Sequence, residues 1–366
     1  MLLTLPPELI ERIVRLALPS YVNSWSYVEY QTTLCHLCHV CSVFRQVAQP
    51  ILEEVIYLDH AWDWERISLN TSIRFENVRL LWPIPVDFVR GQQTSWSTLA
   101  PLVRQCSFVQ DLRLVGIESL NMQDLESLGT LSNLVLDTVS LSSTQSYILQ
   151  PVRSLEWLDV TSPSGQPATL QCSSYPALEA LACTRPEDCE PALFKHLDCV
   201  FWISRYSPAQ ELAAVSNPAR VLRTVEWDLL DHTAFSSVHP LRVEQYHRRP
   251  EAERIDRLSA YLSEATSIPC LPLLMFPHPF DPSDPGNVDL RPELRKAMVN
   301  FQTACAAHGI EVVYDPDDTF FPRNINFAFR RRMYGRCAPG HGYVSPLFWA
   351  RAKKLKKMED ADGSAQ

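Results

Sequence analysis

The chain has 366 residues, enough for one large or two moderate domains. Hydrophobic residues make up 46% and charged residues 20%, ordinary values for a water-soluble globular protein, and no apolar run approaches the ~18 residues of a membrane span. The net charge of −9 is unevenly spread: ten of the 33 basic side chains but three of the 42 acidic ones fall in residues 323–366, so a basic tail follows an acidic body, which argues against nucleic acid as the main partner.

The opening MLLTLPPELIER has a short apolar stretch broken by prolines and a glutamate, which is not a secretory signal. The eleven cysteines are odd in number and sit mostly in apolar contexts such as LACT and LDCVFW. They read as reduced, buried small hydrophobes of an intracellular protein rather than a disulfide framework.

The first element is LPPELIERIVRLAL, Leu5 to Leu18, an amphipathic helix with its start signal intact. Pro6 and Pro7 suit the first turn, where a missing N–H costs nothing, and Glu8 meets the positive end of the helix dipole. Leu9, Ile10, Ile13, Leu16 and Ala17 recur at helical spacing. After the segment Pro19 to Thr33, rich in Ser, Tyr and Trp and read as a long loop, Leu34, Leu37, Val40, Cys41, Phe44, Val47 and Ala48 follow the same rule. Two short amphipathic runs cannot bury their faces alone, so they pack together or against a partner.

The order Leu-Pro-x-Glu-Leu-Ile-x-x-Ile, then a gap, then Val-Cys-x-x-Phe-Arg-x-Val-Ala resembles the F-box. The resemblance covers roughly a seventh of the chain. It implies a three-helix domain over residues 1–52 that docks on the Skp-type adaptor of cullin–RING ubiquitin ligases. Leu5, Pro6, Leu9, Ile10, Ile13, Val40, Cys41, Phe44 and Val47 match the family's adaptor-facing or core positions. The segment 19–33 is longer than the family's usual turn, an insertion that costs little loop-closure entropy. The alternative is an ordinary N-terminal helical hairpin of a larger fold. Within the same stretch, Cys35, Cys38 and Cys41 are spaced C-x-x-C-x-x-C with His36 and His39 between. Three thiolates are short of a tetrahedral zinc set, and on a helix they drift around the axis, so no metal and no cofactor is assigned.

EVIYL (Glu54 to Leu58) and NVRLLW (Asn77 to Trp82) are the first two strands. A period then appears. VQDLRLVGI, LSNLVLDTV, VRSLEWLDV and YPALEALAC centre on Leu112, Leu134, Leu155 and Leu178, steps of 22, 21 and 23 residues. This L-x-x-L-x-L rhythm looks like an irregular leucine-rich repeat, in which each unit lays one strand beside the last and returns along a helix or loop such as Asn121 to Leu131. An α/β domain with regular strand spacing is the other reading. CVFWI (Cys199 to Ile203) and VLRTVEW (Val221 to Trp227) extend the rhythm, with short helices at Pro191–His196 and Pro208–Val215. A helix over Pro250–Ala265, a strand PLLMF (Pro272 to Phe276), a helix over Arg291–His308 capped by Gly309, and a strand Ile310–Tyr314 complete the body. The clusters Arg330 to Arg332 and Arg351 to Lys357 fit an import signal or a solvated terminal helix.

Chemistry-bearing motifs are missing. The ten glycines form no dinucleotide or triphosphate cradle, and no nucleophile elbow or H-E-x-x-H pair occurs. YDPDD lacks the glycine and closing glutamate of a calcium loop, and Asp228, Asp231 and His232 have no accompanying nucleophile.

The expected architecture is therefore α/β: an N-terminal three-helix F-box, an irregular leucine-rich-repeat-like α/β solenoid over residues 53–322, and a basic tail over 323–366. The expected function is that of a non-catalytic substrate receptor, bringing an unknown target protein to a ubiquitin ligase through the adaptor. Target contacts are expected on the exposed strand positions Asp111, Arg113, Asn133, Val135, Glu156 and Glu179. The competing readings are a repeat scaffold whose N-terminal helices only cap the solenoid and a hydrolase in the C-terminal half.

Overall fold

Parallel strands with short helical returns make this an α/β chain. The computed structural model describes residues 5–18, 24–58, 74–83, 93–197, 199–204, 221–226, 230–237, 239–244, 251–266, 270–277, 280–284 and 290–315. The chain divides into two compact units, Met1–Glu179 with Asp188–Glu190, and Ala180–Glu187 with Pro191–Gln366. The expected helix at Pro208–Val215, both basic clusters and the tail lie outside the described residues.

The first unit opens with helices α1 (Pro7–Ala17), α2 (Ser24–Val40) and α3 (Ser42–Glu53). Strands β1 (Val55–Leu58), β2 (Leu80–Pro83) and β3 (Thr94–Ser95), helix α4 (Trp96–Gln105), and strands β4 (Asp111–Val115), β5 (Ile117–Glu118), β6 (Asn133–Asp137) and β7 (Ser154–Leu158) follow. The order β1-β2-β4-β6-β7 is parallel throughout, with β3 and β5 paired separately. Leu112, Leu134 and Leu155 stand in register, as do Leu114, Leu136 and Trp157. These rows are buried, and so are the apolar residues of the returns, among them Leu125, Leu128, Leu131 and Val152. Strands β4, β6 and β7 each end in a left-handed corner: Gly116, Thr138 and Asp159 have φ of 59°, 56° and 51°. The corner turns the chain off the strand into a second set of parallel bridges, Leu120 to Leu141 and Ser140 to Thr161.

The fourth period differs from the spacing read in the sequence. The Glu179 amide donates to the Arg153 carbonyl, as Ser154 does to Ser132 and Asn133 to Gln110. Glu179, not Ala177, therefore takes the place of Asn133 and Ser154. The coil leading to it is 25 residues long where the two before it are 22 and 21. The excess is a small hairpin over residues 161–167 that closes on an antiparallel bridge from Thr161 to Pro167.

The second unit carries β8 (Ala180–Cys183), β9 (Cys199–Ser204), β10 (Val221–Glu226), β11 (Leu241–Glu244), α5 (Ala252–Glu264), β12 (Leu273–Pro277), α6 (Pro292–Ala307) and β13 (Glu311–Asp315). Its strands pair in chain order, all parallel. Ile255, Leu258 and Leu262 of α5 and Leu294, Met298, Phe301 and Cys305 of α6 pack with Leu241, Leu274 and Phe276 in one core. Gly309 (φ 72°) supplies the left-handed cap of α6, and His308 Nε2 meets the Leu262 carbonyl near the end of α5 at 2.6 Å.

Two expectations about the head need correction. Residues 19–33 are not a loop throughout: α2 already begins at Ser24, on a stretch that holds neither glycine nor proline to stop it. The run Leu34 to Ala48 is also not one helix. Cys41 is extended (φ −164°, ψ 171°) and starts α3. Arg45 holds the break from both sides: its amide donates to the Cys41 carbonyl at 3.0 Å, and its Nε donates to the Cys38 carbonyl at the end of α2 at 2.9 Å. Helix α4, which contains Pro101, and strand β11 have no counterpart in the sequence reading.

Candidate functional site

Helix α1 starts on Pro6 with Pro7 at its first position, Glu8 in its first turn and Arg15 in its last, so its ends are matched to the dipole. Ile10 and Val14 lie one turn apart and are buried. They close a small core with Leu34 of α2 and with Ala48 and Ile51 of α3, against which Leu5, Leu37, Phe44 and Val47 are half-buried.

That core leaves a second apolar stripe outside. Leu9, Ile13 and Leu16, spaced four and three residues apart, are 47%, 41% and 78% exposed, and Val40 at the end of α2 is 64% exposed. Pro6 is exposed beside them. The nine residues expected to bind an adaptor therefore divide. Pro6, Leu9, Ile13 and Val40 face solvent, Leu5, Cys41, Phe44 and Val47 are partly covered, and Ile10 is interior. Ile10 cannot be a docking residue, because it is spent on the head's own core. Leu16, the most exposed apolar side chain of α1, was absent from that set, although its spacing from Leu9 and Ile13 already placed it on their face.

The strand positions expected to meet a target do not form an exposed row. Arg113 and Glu156 are 3% and 4% exposed, and Val135 is buried between them in register. Arg113 holds Asp111 through Nε (3.0 Å) and Nη2 (3.3 Å), and its guanidinium lies over the Trp82 ring 5.1 Å from the centroid. Neighbouring parallel strands stand about 4.8 Å apart, so a long side chain in such a row is flanked on both sides. Asp111 and Asn133 are half-buried. Glu179 alone of the six is exposed, in an ion pair with Arg153 at 3.0 Å. The alternation of polar and apolar residues had suggested a solvated face, whereas Arg113 is a buried ion-pair and stacking partner and Glu156 is buried in the same row.

The cysteine–histidine run does not gather a ligand set. Cys35 is exposed, Cys38 and Cys41 are half-buried, and burial, then neighbouring Cys35, pushes the Cys38 thiol up. Among the described residues no group of three or more His, Cys, Asp or Glu side chains is placed to hold a metal ion. Nine of the cysteines, Cys106 and Cys305 among them, are free thiols, and burial raises Cys106 and Cys305 to about 12. No described helix is long and apolar enough to cross a membrane. No protein-family model matches the chain, and no curated protein matches it.

Proposed function

We propose that this protein is an F-box-type substrate receptor whose N-terminal helices dock on a Skp-type adaptor of a cullin–RING ubiquitin ligase. The observation that carries the reading is the apolar stripe of Leu9, Ile13 and Leu16 with Val40, left exposed by a head whose own core is already closed. Fully burying a side chain of this size releases at most about 1.5–3 kcal/mol, so the three-residue stripe of α1, with Val40 exposed on α2 besides, is an incentive to bind. The F-box sequence pattern names the partner. The body, read as an irregular leucine-rich-repeat-like solenoid, would hold a target protein near the ubiquitin-charged conjugating enzyme, and the receptor itself does no bond chemistry. Target contacts would fall on exposed surfaces other than the buried row of Arg113, Val135 and Glu156.

A second reading, a repeat scaffold whose helices only cap the sheet, is favoured by one observation. The Glu54 carbonyl at the end of α3 accepts from the amides of Arg79 and Leu80, both at 2.9 Å, so the head runs directly into the first strands. Co-expression with a Skp-type adaptor separates the two. A receptor co-purifies with the adaptor and a Leu9→Asp, Ile13→Asp variant does not; a cap ignores the adaptor in both forms.

A further inference from the structure

The 25-residue coil spends its extra length on a hairpin that the stacking of the strands does not require. In this hairpin Ser162 and Gly165 close a four-residue turn, Gly165 N–H donating to the Ser162 carbonyl at 2.9 Å. Pro163 occupies the second position, which its fixed φ suits, and Gly165 takes the left-handed φ of 76°. Two further backbone bonds hold the neck, from Ser162 N–H to the Gln166 carbonyl at 2.7 Å and from Ala168 N–H to the Val160 carbonyl at 2.9 Å. Residues 163–167 are all exposed. The Ser162 hydroxyl donates to the Gln166 carbonyl at 3.0 Å and lies 2.8 Å from Ser164 Oγ. From Val160 to Leu170 there is no charged side chain.

We infer that Ser162 is a phosphorylation site for a proline-directed serine/threonine kinase. Such a kinase reads the hydroxyl residue together with the proline that follows it, and it needs the segment extended. The two backbone bonds of the tip, at Ser162 and Gly165, can open at little cost while the Ala168 N–H bond to Val160 keeps the neck closed and the buried rows behind it undisturbed. In the transfer, Ser162 Oγ attacks the γ-phosphorus of ATP and a new O–P bond forms. The bond to the β–γ bridging oxygen breaks, ADP leaves, and the hydroxyl proton passes to the kinase's own base. The phosphate places about −1.5 to −2 charges on a neutral tip and removes the hydroxyl donation to Gln166, so the hairpin changes from a closed, uncharged turn to an open, anionic one.

The chain has three Ser–Pro dipeptides, at Ser162, Ser207 and Ser345, so the test must locate the phosphate. The full chain is incubated with a purified proline-directed kinase and magnesium ATP, and the sites are mapped by tandem mass spectrometry beside Ser162→Ala and Pro163→Ala. Phosphate on Ser162, absent from Ser162→Ala and reduced to that background in Pro163→Ala, is the expected result. Phosphate confined to Ser207 or Ser345, or on Ser164 in its place, overturns the assignment. So does a peptide of residues 157–169 that is phosphorylated while the folded chain is not, because the turn would then shield its serine.

Discussion

Arg15, in the last turn of α1, grips Glu54, the residue that follows α3, with both ends of its guanidinium. Nη1 lies 3.2 Å from Oε2 and Nη2 reaches Oε1, while Nε donates to Glu11 Oε1 at 2.8 Å. The backbone carbonyl of the same Glu54 begins the pairing with β2, and Asn77 Nδ2 donates to the adjacent Glu53 at 2.8 Å. One acidic pair thus ties the first helix to the first strands. The clamp is partly solvated, so Glu54→Gln should cost about 0.5–1 kcal/mol in chemical denaturation, less at high salt. A loss that did not shrink with salt would point to packing instead of charge.

Asp124 joins α4 to the return after β5. Its carboxylate accepts from Trp96 Nε1 at 2.7 Å and from Arg104 Nη2 at 3.0 Å. Burial alone would raise its pKa, but these two donors outweigh burial and hold it below the ordinary value of 3.8. A lowered folded pKa gives stability that is fully present above the unfolded value and is lost as pH falls through the folded one. Asp124→Asn should lower stability at neutral pH by about 1–2 kcal/mol and flatten its fall below about pH 4. Urea midpoints measured across that range check both.

The left-handed corners differ in how well their residues fit. Gly116 adopts φ 59° freely, but Thr138, at 56°, is β-branched and strained there. Thr138→Gly relieves that strain but removes the Thr138 hydroxyl's bond to Asp137 Oδ1 at 2.9 Å, so it should be neutral to destabilising by about 1–2 kcal/mol, and Gly116→Ala should destabilise the chain by about 1 kcal/mol. Chemical melts of the two variants check both, and a Thr138→Gly chain more stable than the wild chain would show that strain outweighs the bond to Asp137.

Arg113→Ala tests the burial of the charged row. It strands the Asp111 carboxylate and uncovers Trp82, and should cost about 3–5 kcal/mol. A solvated contact residue would change stability by less than about 0.5 kcal/mol.

The strands were legible in the sequence because Leu112 and Leu114, Leu134 and Leu136, and Leu155 and Trp157 must all face one core. In parallel pairing that requirement repeats with each coil. The fourth unit was misplaced because Leu178 imitates the repeat while the hairpin at 161–167 delays the true register to Glu179. The fate of Arg113 was hidden for a different reason: a polar residue between two leucines looks solvent-facing until its neighbours across the sheet, Trp82 and Val135, are known. In the head, the pattern marked Leu9, Ile10 and Ile13 alike. Only packing separates Ile10, which fills the core, from the two that remain outside.

The central claim rests on those remaining side chains, and the most direct measurement is a titration of the full chain with a purified Skp-type adaptor. The wild chain should bind. Leu9→Asp, Ile13→Asp should weaken binding on the order of a hundredfold or more while keeping the melting behaviour of the wild chain. A well-folded wild chain that shows no affinity for the adaptor would contradict the receptor reading and leave the helices as a cap on the sheet.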